Sequence, residues 1–231
     1  MTCCEGWTSC NGISLLVLLL LGIILNVIPL AVKFVDDDDD HKFSKKNPIS
    51  CFEWWFPGII GAGAMAIPAT TMALAARKRG CCNNRVGMFL SSFLNVITIL
   101  GAVYCMWVSL CALSEGPLIC NPQDYKNVSC EFSFKKLNEF DSESFNLQWF
   151  LSESCRSPIG SNNHTNITGN IWDKDKWDLD SQENRERVIH ISVFLGLLLV
   201  GILELLFGFS QIAIGFLGCL CGVSKRRERY V

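Results

Sequence analysis

Hydrophobic positions in this chain gather into four long runs, residues 13–32, 54–76, 86–113 and 188–223, separated by polar stretches of unequal length. Each run exceeds the roughly 18 apolar residues that a helix needs to cross a bilayer. The pattern predicts an all-α membrane protein, a four-helix transmembrane bundle. The polar remainder divides into an N-terminal tail (1–12), a short loop (33–53), a connector (77–85), a large loop (114–187) and a C-terminal tail (224–231).

The four runs differ in ways that matter. The first is too long for the core of a signal peptide, lacks a basic flank before it and shows no small-x-small cleavage site, so it reads as an uncleaved anchor. The second opens on Trp54, Trp55 and Phe56, an interfacial aromatic anchor. Pro57 falls in its first turn, where a missing N–H costs little, and Pro68 falls inside it, which predicts a kink. Gly58, Ala62, Ala66 and Thr70 recur every four residues, a small-residue stripe that lets another backbone approach closely. The fourth run is longer than a ~30 Å hydrocarbon core requires at about 1.5 Å per residue, so it must tilt or project.

Composition agrees with a membrane chain: 231 residues, 50% hydrophobic, 18% charged and a net charge of −2. That balance gives no global pull toward nucleic acid. Local charge and the glycosylation acceptors assign sides. Asn127-Val-Ser129, Asn163-His-Thr165 and Asn166-Ile-Thr168 are the chain's three N-x-Ser/Thr acceptors, and all lie in the large loop, which they assign to the lumenal side. The connector carries Arg77, Lys78, Arg79 and Arg85, and the tail carries Lys225, Arg226, Arg227 and Arg229; both read as cytosolic. The expected topology is N-terminus in, short loop out, connector in, large loop out, C-terminus in. Span one is the exception to this agreement. Its cytosolic flank has no Lys or Arg, whereas Lys33, Lys42, Lys45 and Lys46 lie on its outer flank. The acidic run Asp36 to Asp40 hardly offsets them and reads as solvated extended chain rather than a cation site, because no Gly turn gathers its carboxylates.

Once sides are assigned, the 13 cysteines sort by compartment. Cys51, Cys120, Cys130 and Cys155 fall on the oxidising side, and four cysteines permit three pairings that sequence leaves open. A small loop domain with a thin core is expected to be stapled by them. Cys3, Cys4, Cys10, Cys81, Cys82, Cys219 and Cys221 lie at cytosolic membrane boundaries, where juxtamembrane thiols suit palmitoylation, with Cys3, Cys4, Cys81, Cys82, Cys219 and Cys221 the candidates. Their spacing falls short of Cys-x-x-Cys, so zinc is disfavoured.

Glu204 is the ionisable residue well inside a span. Glu204, Gln211 and Gly218 are seven apart, as are Gly201, Gly208 and Gly215, which makes a close-packing stripe with a carboxyl in it. The plain reading is a neutral Glu bonded to another helix, at Asn95 or Asn26; the functional one is a proton or ion site. On span one, Gly22 and Asn26 share a face that suits a partner helix or a polar lipid headgroup. The chain shows no phosphate loop, metal-ligand cluster or nucleophile–base pair. Asp173-Lys-Asp175-Lys-Trp-Asp178 fails as a calcium loop, because Asp178 stands where Gly is needed. His41, His164 and His190 all fall in loops or at a membrane edge, which argues against histidine catalysis in the bilayer. No cofactor and no enzymatic activity are expected.

Several stretches resemble the transmembrane 4 L-six family: Met1-Thr-Cys-Cys-Glu-Gly-Trp-Thr-Ser-Cys10, Cys51-Phe-Glu-Trp-Trp-Phe-Pro-Gly-Ile-Ile-Gly61, Ala76-Arg-Lys-Arg-Gly-Cys-Cys-Asn-Asn-Arg85 and the run from Phe194 through Arg227. With span order and loop sizes, the resemblance covers essentially the whole chain. Tetraspanins are set aside because their large loop carries Cys-Cys-Gly, and Cys120, Cys130 and Cys155 here stand alone. The resemblance implies a non-enzymatic four-span protein that gathers other integral membrane proteins and affects their trafficking, signalling or processing.

Together these readings predict lateral association with partner membrane proteins and a disulfide-stapled lumenal loop domain as the presented surface. They predict residence in the endoplasmic reticulum or plasma membrane, the former suggested by Arg226-Arg227-Glu228-Arg229. The charge imbalance of span one, with Gly22 and Asn26, predicts an insertion direction that responds to membrane lipids such as sphingolipids. The alternative class is a small transporter or channel using Glu204.

Overall fold

The computed structural model of the chain describes residues 3–38, 49–76, 85–118, 130, 148–151 and 182–220. They form five α-helices: α1 (Cys3–Asp38), α2 (Ile67–Ala76), α3 (Arg85–Glu115), α4 (Gln148–Leu151) and α5 (Gln182–Leu220), with a 3₁₀ turn at Cys51–Trp55 and a π-helical stretch at Pro57–Ala64. No strand occurs among the described residues. Among the described residues, four segments are long and apolar enough to cross a membrane: Ser9–Val32, Cys51–Leu74, Leu90–Glu115 and Asn184–Phe216.

The three long helices bury narrow stripes and leave broad apolar faces exposed. In α1 the buried positions Asn11, Leu15, Leu18, Gly22, Asn26 and Pro29 step by three and four residues. In α5 the sequence Arg187, His190, Phe194, Leu197, Gly201, Glu204, Gly208 and Gln211 does the same, and in α3 so does Ser92, Asn95, Thr98, Ala102, Cys105, Ser109 and Ala112. Val17, Leu100, Leu199 and Leu206 stand on the opposite faces and are exposed. The polarity is inverted relative to a water-soluble bundle. Lipid tails solvate leucine as well as a protein core does, so close packing and hydrogen bonds, not apolar burial, select the inner faces.

Span two is not the single kinked helix that Pro68 suggests. Phe56, which precedes Pro57, takes a left-handed conformation (φ 47°) as the C-cap of the 3₁₀ turn, at a cost of about 1–3 kcal/mol. The Met65 N–H then bonds back five residues to the Ile60 carbonyl at 3.2 Å, the Ala66 N–H three residues to Gly63 at 3.0 Å, and the Thr70 N–H four residues to Ala66 at 3.0 Å. The helix therefore breaks and restarts, and Pro68 occupies the first turn of the new segment, where its missing N–H is tolerated. The converse holds for Pro29, which lies inside an unbroken α1. Two boundaries also move. Asp36 to Asp38 continue α1 rather than forming extended chain, and α5 starts at Gln182, so Arg185 and Arg187 are helical rather than part of the loop that was expected to run to residue 187.

The chain resolves into two compact units: unit 1 (Met1–Ile24, Gly58–Cys105, Leu199–Val231) and unit 2 (Leu25–Pro57, Met106–Leu198). In unit 1 the broken span lies between α1 and α3 in backbone-close contact with both. A Cβ placed on Gly61 would stand 2.7 Å from the Gly101 carbonyl oxygen, and one on Gly101 would meet the Gly61 carbonyl oxygen and, at 2.7 Å, the Met65 Cβ. On the other side a Cβ on Gly22 would be 2.7 Å from the Ala62 Cβ, and one on Gly12 would be 2.9 Å from that of Ala73. In unit 2 Cys51 is disulfide-bonded to Cys130, and the Leu118 N–H bonds the Ile49 carbonyl at 2.8 Å.

The Gly61–Gly101 contact predicts that Gly101→Leu, which drives a side chain into backbone, destabilises the protein by about 1–3 kcal/mol, whereas Leu100→Ala on the exposed face changes it by less than about 0.5 kcal/mol. Denaturant unfolding of both purified variants in micelles measures this; equal stability of the two removes the contact from its central place.

Candidate functional site

Two groups of buried polar side chains stand out, one in each unit. In unit 2 the short helix α4 is held at the junction of α3 and α5. Gly116 ends α3 with φ 75°, and a Cβ there would lie 2.8 Å from the Trp149 ring, so both the backbone conformation and the space require glycine. Trp149 uses that space. Its indole N–H donates to the Leu113 carbonyl at 2.9 Å, and its ring packs edge-on to His190, with centroids 5.4 Å apart. The Arg187 guanidinium donates to the carbonyls of Trp149 at 2.6 Å and Phe150 at 2.8 Å, and to the Asn184 side-chain oxygen at 3.4 Å. Arg187 is 2% exposed, so a charged donor fork here is desolvated and committed to the loop backbone. His190 lies 2.9 Å through Nε2 from the Ala112 carbonyl, which only accepts, so Nε2 carries the proton and donates. His190 is thus a buried member of α5, near the start of its apolar run.

The same unit contains Asn26, 1% exposed, whose amide donates a long bond to the Glu53 carbonyl at 3.5 Å. In unit 1, Gly22 lies against Ala62 and near the Gly58 carbonyl oxygen. Both residues therefore meet span two.

Unit 1 contains the second group. The Asn11 amide donates to the Ser210 hydroxyl at 3.1 Å and to the Gln211 side-chain oxygen at 3.2 Å, which ties α1 to α5. The Thr98 hydroxyl donates to the Met65 carbonyl at 3.3 Å, at the break in span two. Glu204 is fully buried with neither carboxylate oxygen hydrogen-bonded, so the expected bond to Asn95 or Asn26 is not made. Asn95 instead turns its amide back to the Ser91 carbonyl at 2.7 Å, and its own side-chain oxygen is left without a partner.

Of the other residues singled out by sequence, Gly58, Ala62, Ala66, Gly201, Gly208 and Gln211 are buried and Gly215 is half-buried. Cys3 and Cys4 fall in α1 and Cys219 in α5, while Asn127, Asn163, Asn166, Cys81, Cys82, Cys120, Cys155 and Cys221 lie outside the described residues. Among the described residues, Cys51 is paired with Cys130. No group of three or more His, Cys, Asp or Glu capable of holding a metal occurs among the described residues. The sequence reading missed Trp149, Arg187, Gly101 and Gly116. Trp149-Phe150 in an otherwise polar loop was the available signal for the first, and a glycine in mid-span for Gly101.

The sequence model of the L6 membrane protein family matches residues 2–225. Over its full length and theirs, the chain is 65% identical to transmembrane 4 L6 family member 20 of Homo sapiens, 63% to that of Mus musculus and 65% to that of Bos taurus. No solved structure matches. With a family match over nearly the whole chain and four membrane-crossing segments, this integral multi-pass protein belongs to the L6 membrane protein family.

Proposed function

We propose that the protein is a non-catalytic regulator that associates laterally with other integral membrane proteins and controls their trafficking or intramembrane proteolytic processing. The observation that carries this reading is the anchored base of the large loop. The Cys51–Cys130 disulfide, the Trp149 bond to Leu113 and the Arg187 bonds to Trp149 and Phe150 tie it to the helices at three places. A loop fixed in this way costs less entropy to present to a partner than a free one. In this reading the loop is lumenal and carries glycans at Asn127, Asn163 and Asn166, and both tails are cytosolic. Acylated Cys3, Cys4, Cys81, Cys82, Cys219 and Cys221 set the lipid environment, in the endoplasmic reticulum or plasma membrane.

The same reading makes span one responsive to lipid. Gly22 packs on Ala62, and Asn26 reaches the Glu53 carbonyl, so a sphingolipid that takes either place must displace span two. Insertion direction and helix packing then become one equilibrium, which a lipid shifts by its preference for one of the two states.

The second reading, a transporter or channel, rests on the buried, unbonded Glu204.

Three measurements test these readings. Proximity labelling from the C-terminus should recover a discrete set of single-span membrane proteins that Trp149→Ala depletes several-fold; an unchanged set sinks the loop-presentation reading. Swapping the charges on the two flanks of span one should alter its direction as mapped by engineered glycosylation sites, and one fixed direction under every lipid condition and every swap ends the lipid-response idea. Ion flux in proteoliposomes that Glu204→Gln abolishes at equal abundance would favour transport, and no flux in the native protein excludes it.

A further inference from the structure

His190 packs into the base of the large loop with one ring nitrogen bonded and the other bare. Nε2 donates to the Ala112 carbonyl at 2.9 Å, while Nδ1 is buried with no hydrogen-bond partner. The residue is 1% exposed and enclosed by aromatic rings, Trp149 of α4 with centroids 5.4 Å apart and Phe194 of α5 at 4.7 Å. A second proton on this imidazole has to go on Nδ1. There it makes a donor without an acceptor and places a full charge inside an aromatic enclosure, and both cost free energy. The charge also stands one helical turn from Arg187, a buried like charge fixed to the Trp149 and Phe150 carbonyls.

The other titratable groups among the described side chains of unit 2 are Arg185, Glu53, Glu115, Glu186 and Cys111. None of them, nor Arg187, is a hydrogen-bond partner of the imidazole. Glu115 at the end of α3 is exposed, Glu186 on α5 is half-buried and Glu53 belongs to the 3₁₀ turn. α4 brings no titratable group at all. That helix is also the cover that can leave. Its four residues are too few to hold alone, and it stays through the Trp149 indole bond to Leu113, the Arg187 bonds and the ring contact with His190. Lifting Trp149 off His190 lets water reach Nδ1, which gives the proton a partner and leaves α3 and α5 intact.

We propose that His190 is a pH sensor at the loop base: a proton taken up on Nδ1 releases α4 from α3 and α5, so the large loop is held at neutral pH and let go in an acidified compartment. Its consequence for partners rests on the loop-presentation reading; the latch itself does not. The sign follows from proton counting. The closed state holds the imidazole neutral, whereas the open state, with the ring in water, takes up a proton near pH 6.5, at about the ordinary value for histidine. The closed form is therefore favoured in full above about pH 7, and below about pH 6 its ratio to the open form falls by up to about 10-fold per pH unit.

The test uses the full-length protein labelled with 5-fluorotryptophan and held in nanodiscs, where the fluorine resonance lost in Trp149→Phe assigns Trp149. Between about pH 7.5 and about pH 5 that resonance should move from a buried to a water-exposed position. In a His41→Gln/His164→Gln background, where His190 is the one remaining histidine, it should move together with the imidazole signal of ¹⁵N-labelled histidine. His190→Gln keeps a donor for the Ala112 carbonyl and cannot titrate; its Trp149 should stay buried at both pH values. If that variant does not fold, the joint titration of Trp149 and His190 decides alone. A Trp149 signal unchanged down to about pH 5 overturns the proposal. So does a shift that persists in His190→Gln, which would hand the effect to a carboxyl group, and so does firmer burial in acid, which would mean that the Trp149 ring holds the imidazolium. All of these read the loop base directly, and the loop-presentation reading stands or falls on proximity labelling instead.

Discussion

Backbone contact between span two and α3 at Gly61 and Gly101 is the constraint around which unit 1 is built. Helices in lipid gain little by burying leucine, so they hold together where their backbones come near enough for dispersion contacts and hydrogen bonds. The two glycines allow that approach, and the rest of span two adjusts to it. Its hydrogen bonding passes from five-residue to three-residue to four-residue spacing between Met65 and Thr70, and the Thr98 hydroxyl of the neighbouring helix bonds the Met65 carbonyl at the break. Broken backbone survives at membrane depth when protein groups satisfy it, which is the condition met here. Gly12 and Gly22 do for α1 what Gly101 does for α3, so the irregular span is held on two sides.

The parts of this fold legible in the sequence are those set by composition over long windows. Four apolar runs give four spans, and the stripe of Gly58, Ala62, Ala66 and Thr70 correctly marks a buried face. The break in span two was only half legible. Pro68 announces lost hydrogen bonding, but whether a helix bends through a proline or restarts at it depends on what its neighbours can satisfy: α1 passes Pro29 unbroken and span two does not pass Pro68. The stripe positions Gly201, Glu204, Gly208 and Gln211 on α5 were readable from their seven-residue spacing, yet the partners were not. Asn95, an obvious candidate for Glu204, bonds its own helix instead. Disulfide pairing lay beyond sequence for the same reason, because it depends on where Cys51 and Cys130 sit in space.

Unit 2 shows how a polar loop can be attached to apolar helices. α4 is too short to be stable alone, since the first helical turn fixes several residues for a single hydrogen bond. It holds because Arg187 donates to two of its carbonyls and Trp149 fills the room that Gly116 leaves. Hydrogen bonds to a charged donor contribute about 1.5–3 kcal/mol each, more than a neutral bond gives. Arg187 is fit for this because it lies inside α5, which begins before the membrane run; a loop arginine would have lost far more freedom in making the same contacts.

Two polar groups in unit 1 behave differently. Asn11, Ser210 and Gln211 bond one another and complete a link from α1 to α5; such a group specifies which helices pair. Glu204 specifies nothing of the kind, because it bonds no neighbouring helix. A glutamine at that position would fit the same space and could donate as well as accept, at lower desolvation cost than a carboxylate. Gly208 brings this helix close to α3, so the carboxyl is enclosed by packing rather than held by a bond.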